Sequence, residues 1–169
     1  MVIGAGGLGH IGVQVLAALT AATITVADRS AEALDLGRTL GAHHLVDATE
    51  DPVDRLRDIT GGGAHVVFDY VGEHGTPGQG IAALRNRGSY FAIGYGGRVD
   101  VPAIELISRE INVVGNLVGS HQDLTELMTL TAQGKVTLHT TAYPLDAFAD
   151  AIHDLESGKL VGRGILIPS

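Results

Sequence analysis

The 169-residue chain contains no cysteine, which excludes disulfide bonds and every zinc site that depends on thiolates. It also has no apolar run near the roughly 20 residues that a membrane-spanning helix needs. Its first residues lack the basic and apolar regions of a secretory signal. We therefore expect no membrane partner, and the cytoplasm is the expected compartment.

Basic clusters are missing as well. The chain has 11 lysines and arginines against 19 acidic residues, for a formal net charge of −8, and its basic residues are scattered. Nucleic-acid binding requires a cationic face, so we expect no nucleic-acid partner. No nucleophile elbow and no lysine-bearing phosphate loop is found in the sequence.

Short apolar runs alternate with longer amphipathic segments along the chain. The runs predict strands at 1–3, 23–27, 43–46, 64–69, 89–93, 111–114 and 164–167, with a short extended stretch at 136–141. The other segments predict helices at 7–19, 30–40, from 52, 78–87, 120–132 and around 148–155. Strands that are apolar on both faces and separated by helices indicate an α/β fold: a Rossmann-type, doubly wound parallel sheet with helices on both faces.

The sequence GAGGLG at residues 4–9 fits the pattern G-x-G-x-x-G between the first strand and the first helix. Gly4 permits the tight turn, Gly6 lets the backbone approach a pyrophosphate, and Gly9 lets the helix pack close to the sheet. The start of the helix then offers free N–H groups to the phosphates. The turn therefore predicts dinucleotide binding through Gly4, Gly6, Gly7, Leu8 and Gly9.

Asp28 ends the second predicted strand, 19 residues after Gly9. A carboxylate at that position accepts hydrogen bonds from an adenosine ribose 2′-OH and repels a 2′-phosphate, which favours NAD over NADP. The adjacent Arg29 could instead serve as a phosphate partner. We favour Asp28 as the determinant, because the strand end directs it toward the ribose, and expect Arg29 to flank the adenine or lie in solvent.

Five stretches, in order, resemble the cofactor-binding half of the medium-chain, zinc-type alcohol dehydrogenases: VIGAGGLGHIGVQVLAAL, VADRSAEALDLGRTLGAHHLVD, FDYVG, GSYFAIGYGG and YPLDAFADAIHDLESGKLVGRGILIP. Together they cover essentially the whole chain, and they are most similar to the bacterial NAD-dependent secondary-alcohol type. The resemblance implies NAD as cofactor and hydride transfer between an alcohol or ketone and NAD in the full-length enzyme. It leaves a homo-oligomer open.

The resemblance implies further cofactor contacts outside the glycine turn: Val71, Gly72, Gly94, Tyr95, Leu117 and Arg163. The first two would pass the adenosine half of the cofactor, and the next three would lie beside the nicotinamide and its ribose. The last would reach the pyrophosphate. For Tyr95 and Leu117 the alternative is simple packing within a loop, and for Arg163 it is a surface position without a ligand.

The family resemblance also implies that the catalytic domain is missing from this sequence. In such enzymes an N-terminal, barrel-like domain holds the catalytic zinc, so zinc is expected only in that missing domain and no catalytic residue is expected in this chain. The first predicted strand has three residues, whereas buried strands usually have about five or six, so it looks truncated by a cut or a misassigned start. Residues 1–142 would form the dinucleotide-binding domain. Residues 143–169 would pack on the catalytic domain, with an apolar face exposed here and the fragment alone inactive.

The eight histidines do not predict a metal site. His43 and His44 would point to opposite faces of a strand, and no two histidines are four residues apart. His10, at the start of the first helix, could act beside the cofactor. Asp69 ends a strand, and we expect it to be a hydrogen-bonded structural residue there rather than a base.

Two other functions stay open. One is the zinc-free quinone or enoyl reductase branch of the same superfamily, which usually prefers NADPH and which Asp28 opposes. The other is a free-standing NAD-sensing domain that regulates a partner protein. The segments FDYVG and YPLDAFADAI favour the dehydrogenases.

Overall fold

Six parallel strands form the central sheet of the computed structural model, which describes residues 1–168. The strands are β1 (Val2–Ile3), β2 (Thr25–Asp28), β3 (His44–Asp47), β4 (Ala64–Asp69), β5 (Leu84–Ala92) and β6 (Asn112–Gly115). Their order across the sheet is β3-β2-β1-β4-β5-β6. The order reverses beside β1, which creates the crevice where ligands of such sheets bind.

Helices connect these strands and cover both faces of the sheet. They are α1 (Gly9–Leu19), α2 (Ala31–Thr39), α3 (Val53–Ile59), α4 (Thr76–Ala82), α5 (Ala103–Arg109), α6 (His121–Ala132) and α7 (Phe148–Glu156). On one face Val2 and Val26 pack against Val13 of α1, and on the other Ile3 and Val67 pack with Ile81 of α4. This two-sided core confirms the predicted doubly wound parallel fold.

The last two strands do not join the central sheet. The strands β7 (Thr140–Pro144) and β8 (Arg163–Ile167) pair in parallel as a separate two-stranded sheet, with the 3₁₀ turn Leu145–Ala147 and α7 between them. Ser169, the last residue of the predicted C-terminal segment, lies outside the described residues. None of the helices found in residues 1–168 has the length and apolarity to span a membrane.

Local signals correctly placed several element ends. The side chain of Ser30 caps α2 by accepting a hydrogen bond from the amide of Ala33. Ser120 and Asp123 form the predicted capping box of α6. The first strand has two residues, one fewer than the three predicted.

Two element predictions were wrong. The expected helix 78–87 ends at Ala82, and β5 begins at Leu84, because the fully buried Leu84 pairs with Ala64 across a register shift. Helix α5 was not predicted. It has only seven residues, and its Ile104 and Ile107 are 69% and 70% exposed, so its apolar residues do not mark a buried helix face.

A buried carboxylate ties β4 to β5 below the crevice. Asp69 is 0% exposed, and its Oδ1 accepts hydrogen bonds of 2.9 Å from the amides of both Val71 and Gly72. Its Oδ2 accepts a 2.7 Å hydrogen bond from the hydroxyl of Tyr90, which is also 0% exposed. Burial, and then this carboxylate, raises the pKa of Tyr90 well above its ordinary value. Asp69 is thus the structural residue that we expected.

We predict that Tyr90→Phe lowers the free energy of unfolding by about 2 kcal/mol, because it leaves a buried carboxylate oxygen without a partner. Urea denaturation measures the change. Tyr143→Phe is the matched control, since Tyr143 donates a 3.0 Å hydrogen bond to Asp154 in a more exposed setting and should lose less than about 0.5 kcal/mol. Equal losses in the two variants would contradict the structural role of the buried pair.

Candidate functional site

The backbone of the turn between β1 and α1 leaves no room for a side chain at two of its glycines, whereas a third has open space beside it. Gly4 has φ of +82°, and a Cβ there would lie 2.6 Å from Cγ2 of Val71. A Cβ on Gly9 would overlap the carbonyl oxygen of Gly4. A Cβ on Gly6 would meet no other atom within 4 Å. Gly4 and Gly9 are therefore required for the fold, whereas Gly6 faces open space.

The turn also presents unpaired backbone donors. Within residues 1–168, no hydrogen-bond acceptor is found for the amides of the four consecutive residues Gly6, Gly7, Leu8 and Gly9. These amides stand at the N-terminus of α1, where the helix dipole adds partial positive charge. Such an arrangement binds anions, phosphate groups in particular.

Asp28 lies at the end of β2, beside the turn, and is partly buried. Its Oδ2 accepts a 2.7 Å hydrogen bond from the amide of Ala5, and its Oδ1 accepts one of 2.9 Å from the amide of Ser30. The carboxylate therefore holds the glycine turn against the start of α2. A carboxylate has about four lone-pair positions, so each oxygen keeps one for a ligand.

Two cavities share this edge of the sheet. The smaller has a volume of about 310 Å³ and is lined by Gly4, Gly6, Gly7, Leu8, Gly9, Asp28, Tyr70, Val71 and Arg163. The larger, of about 510 Å³, extends past the ends of β2 and β3, and its lining includes Asp28, Arg29, Glu50, Asp51 and His74. Since Gly4, Asp28 and Val71 line both, the cavities form one continuous cleft at the carboxyl ends of the strands.

A third cavity, of about 630 Å³, lies at the opposite edge of the sheet. Its lining includes Thr25 and Ala64, the first residues of β2 and β4. In a parallel sheet the connecting helices begin at the carboxyl ends of the strands, so this opposite edge lacks the helix N-terminal amides that the glycine turn provides. We therefore place the candidate site at the glycine turn, despite the larger volume on the other side.

Arg163 is brought to the turn from the far end of the chain. From the position that a Cβ would take on Gly7, the Cδ of Arg163 is 3.3 Å away and its Nη1 is 3.4 Å away. The guanidinium therefore stands beside the unpaired amides as a full positive charge. Of the predicted residues, those of the glycine turn, Asp28, Val71 and Arg163 line the smaller cavity. Arg29 lines the larger cavity, together with Gly4, Asp28 and Val71.

The remaining predicted residues lie outside these two cavity linings. Gly72 and Gly94 form a backbone crossing between the loops after β4 and β5, because a Cβ on Gly72 would overlap the carbonyl of Gly94. Tyr95 is 92% exposed and Leu117 is 90% exposed, so packing within a loop does not account for either side chain. Their contact with a cofactor stays a prediction.

Sequence reasoning missed Tyr70 as a site residue. Its hydroxyl lies where a Cβ on Gly12 would be, so the ring fills the space beneath α1 and lines the smaller cavity. Burial raises the pKa of Tyr70. The available signal was its position directly after β4, at the carboxyl edge of the sheet.

His10 proved to be a buried residue directly below the turn. Its Nδ1 is 2.7 Å from the carbonyl oxygen of Gly6, and its Nε2 is 3.3 Å from the amide of His139. Across the part of the chain that the structure describes, no three His, Asp or Glu side chains come close enough to hold a metal ion.

The turn geometry makes a prediction about two glycines of the same motif. Gly9→Ala should lower the free energy of unfolding by more than about 3 kcal/mol, because its Cβ collides with backbone that cannot move away. Gly6→Ala is the matched control and should change it by less than about 1 kcal/mol. Thermal and urea denaturation measure both, and a Gly6→Ala variant as unstable as Gly9→Ala would contradict the geometry.

The sequence of this chain is similar to those of known dehydrogenases. A sequence model of a family described as zinc-binding dehydrogenase matches residues 7–133. An NAD-dependent alcohol dehydrogenase of Sulfurisphaera tokodaii is 35% identical over 99% of this chain and 50% of that protein. One from Saccharolobus solfataricus is also 35% identical, again over 99% and 50%.

Solved structures agree with the sequence matches. The alcohol dehydrogenase of the hyperthermophilic archaeon Aeropyrum pernix superposes with a TM-score of 0.96 at 42% identity, over 99% of this chain and 49% of that one. A quinone oxidoreductase of Pseudomonas syringae superposes with a TM-score of 0.83 at 26% identity, over 99% and 56%. The chain thus spans about half the length of the curated relatives it matches.

Proposed function

The chain belongs to the zinc-binding dehydrogenase family, and from this premise we propose that it is the NAD(H)-binding half of an alcohol dehydrogenase. The complete enzyme would transfer a hydride between a small alcohol or ketone and NAD. One observation supports this most strongly: four amides at the start of α1, with no acceptor among residues 1–168, stand beside the guanidinium of Arg163 and near the carboxylate of Asp28.

The pyrophosphate would sit at the glycine turn. Its oxygens would accept hydrogen bonds from the free amides of residues 6–9, and the open space beside Gly6 would let the phosphates approach the backbone. Arg163, which lies beside Gly7, would add a charge-assisted contact. The residues present therefore fit a dianionic linker without any rearrangement of the turn.

The adenosine would occupy the larger cavity. Asp28 has a free lone pair on each oxygen for the ribose hydroxyls, and Glu50 and Asp51 add negative charge to the lining. Among the described residues of that lining, Arg29 is the one permanent cation. A 2′-phosphate would thus meet three carboxylates, so we infer selection of NAD over NADP and against the quinone reductase alternative.

When bound, NAD would accept the hydride at nicotinamide C4. The chain's own contribution is position: the crossing of Gly72 and Gly94 fixes the loops after β4 and β5, and Tyr95 and Leu117 project beyond them. These two side chains would contact the nicotinamide and its ribose. Fixing the ring in this way turns hydride transfer into an intramolecular step, which is a proximity effect.

We further infer that substrate and zinc are bound by a catalytic domain outside this chain. The C-terminal segment, taken as 143–168, presents an apolar face to solvent, with Leu145, Phe148, Ile152 and Leu155 each about half exposed or more. An exposed face that carries several large apolar side chains is typical of a surface that packs against another domain. Residues 1–142 would then be the dinucleotide-binding unit, and the isolated chain would bind cofactor without turnover.

We predict that the chain binds NADH more tightly than NADPH and that Asp28→Ala reduces this preference at least about tenfold, because one repulsive charge is removed from the ribose site. Titration by nicotinamide fluorescence measures both dissociation constants. Asp47→Ala is the matched control: Asp47 pairs with Asp28 in register, and its Oδ1 also accepts a hydrogen bond from a nearby amide, that of Thr49.

The Gly6→Ala variant completes this test. It should stay folded and lose saturable NADH binding, because its methyl group would occupy the phosphate position. An unchanged preference in Asp28→Ala would show that the determinant lies elsewhere. Tighter binding of NADPH than of NADH by the unchanged chain would favour the quinone reductase branch, and no saturable binding of either would refute the proposed function.

A further inference from the structure

His10 is 0% exposed at the second position of α1 and joins two parts of the chain that lie 129 residues apart. Because Gly6 offers a carbonyl oxygen, Nδ1 must carry the proton and donate to it over 2.7 Å. Because His139 offers an amide, Nε2 must accept from it over 3.3 Å. The two contacts fix the neutral ring in one tautomer.

The backbone of His139 extends this hydrogen-bonded connection from His10 to Arg163. The carbonyl oxygen of His139 accepts a 2.9 Å hydrogen bond from the amide of Arg163. Gly162 packs so closely that a Cβ there would overlap the same carbonyl. Gly6, His10, His139 and Arg163 therefore form one hydrogen-bonded chain from the glycine turn to β8.

Gln14 holds the same segment one helical turn further along α1. Its Nε2 donates a 2.9 Å hydrogen bond to the carbonyl of Thr137, and its Oε1 accepts one of 2.8 Å from the amide of Thr137. Residues 137–139 are thus clamped to α1 at two points. Gln14 anchors the segment to the helix, whereas His10 alone also reaches the glycine turn.

We propose that His10 is a positioning residue for the pyrophosphate site. Its ring couples the glycine turn to the backbone of Arg163, and this coupling keeps the guanidinium of Arg163 beside Gly7. This inference rests on the proposed function. Arg163 is exposed and extends from the start of β8, a strand outside the central sheet, so the sheet itself does not fix its distance from the turn. The ring of His10 links the turn to the backbone segment that holds Arg163.

The chemistry of the ring explains why a histidine serves here. A phenylalanine would fill the space but leave the His139 amide without the acceptor that Nε2 provides. It would also remove the side-chain donor to the Gly6 carbonyl, which would keep only the backbone amide of residue 10. Protonation would also break the coupling, because Nε2–H would then face the N–H of His139. The coupling therefore requires the neutral ring.

The surroundings favour that neutral form. Burial lowers the pKa of His10, and the charges of His139 and Arg163 act in the same direction, against the hydrogen bond to Gly6. The stabilisation is complete above the ordinary histidine pKa of about 6.5 and is lost as the pH falls toward the lowered value. NADH binding should weaken only as the pH approaches that lowered pKa, where the folded protein itself takes up the proton.

A double-mutant cycle on the full chain tests the coupling. His10→Asn keeps a donor near the Nδ1 position and removes the acceptor of the His139 amide. We expect this variant to weaken NADH binding about fivefold or more in the otherwise unchanged chain, but less than about twofold in the Arg163→Ala background. His153→Asn, on the exposed face of α7, is the control and should have no effect in either background.

Amide hydrogen exchange without NADH gives a second, independent readout. His10→Asn should accelerate exchange of the His139 amide at least about tenfold, while the Thr137 amide, held by Gln14, stays protected. Failure of the unchanged chain to bind NADH would refute the proposed function. NADH binding with equal losses in both backgrounds, or an unaltered His139 amide, would refute only the role of His10.

Discussion

The site is built on a backbone contact between the first strand and the first helix. Gly9 lies so close to the carbonyl oxygen of Gly4 that no side chain fits between them. This contact brings the first turn of α1 over the end of β1 and leaves four consecutive amides without an acceptor among residues 1–168. The carboxylate of Asp28 then holds the turn through the amide of Ala5. Without the contact, the other cavity residues would surround no anion site.

The sheet order gathers the remaining groups around this turn. Since β1 lies between β2 and β4, residues at their carboxyl ends become neighbours although they are far apart in sequence. Negative charge from Asp28 collects on the side of the larger cavity, where we propose that adenosine binds, and positive charge from Arg163 and the α1 dipole collects at the turn. This separation of charge suits a ligand with a dianionic centre and an uncharged ribose hydroxyl.

The fold and the centre of the site were predictable because their signals are local. The glycine pattern, the acid at the end of β2 and the caps at Ser30 and Ser120 each depend on residues close in sequence. The missed features depend on distant contacts. Leu84 begins a strand because it pairs with Ala64, and the coupling proposed for His10, which the sequence placed only beside the cofactor, depends on His139. No local pattern contains either partner.

The most direct measurement is hydrogen exchange of the backbone amides with and without saturating NADH. The proposed site predicts slower exchange at residues 6–9, whose four amides have no acceptor in the part of the chain that the structure describes. It also predicts unchanged exchange at the opposite edge of the sheet, around Thr25 and Ala64, beside the third cavity. Protection confined to that opposite edge, with residues 6–9 unaffected, would contradict the account.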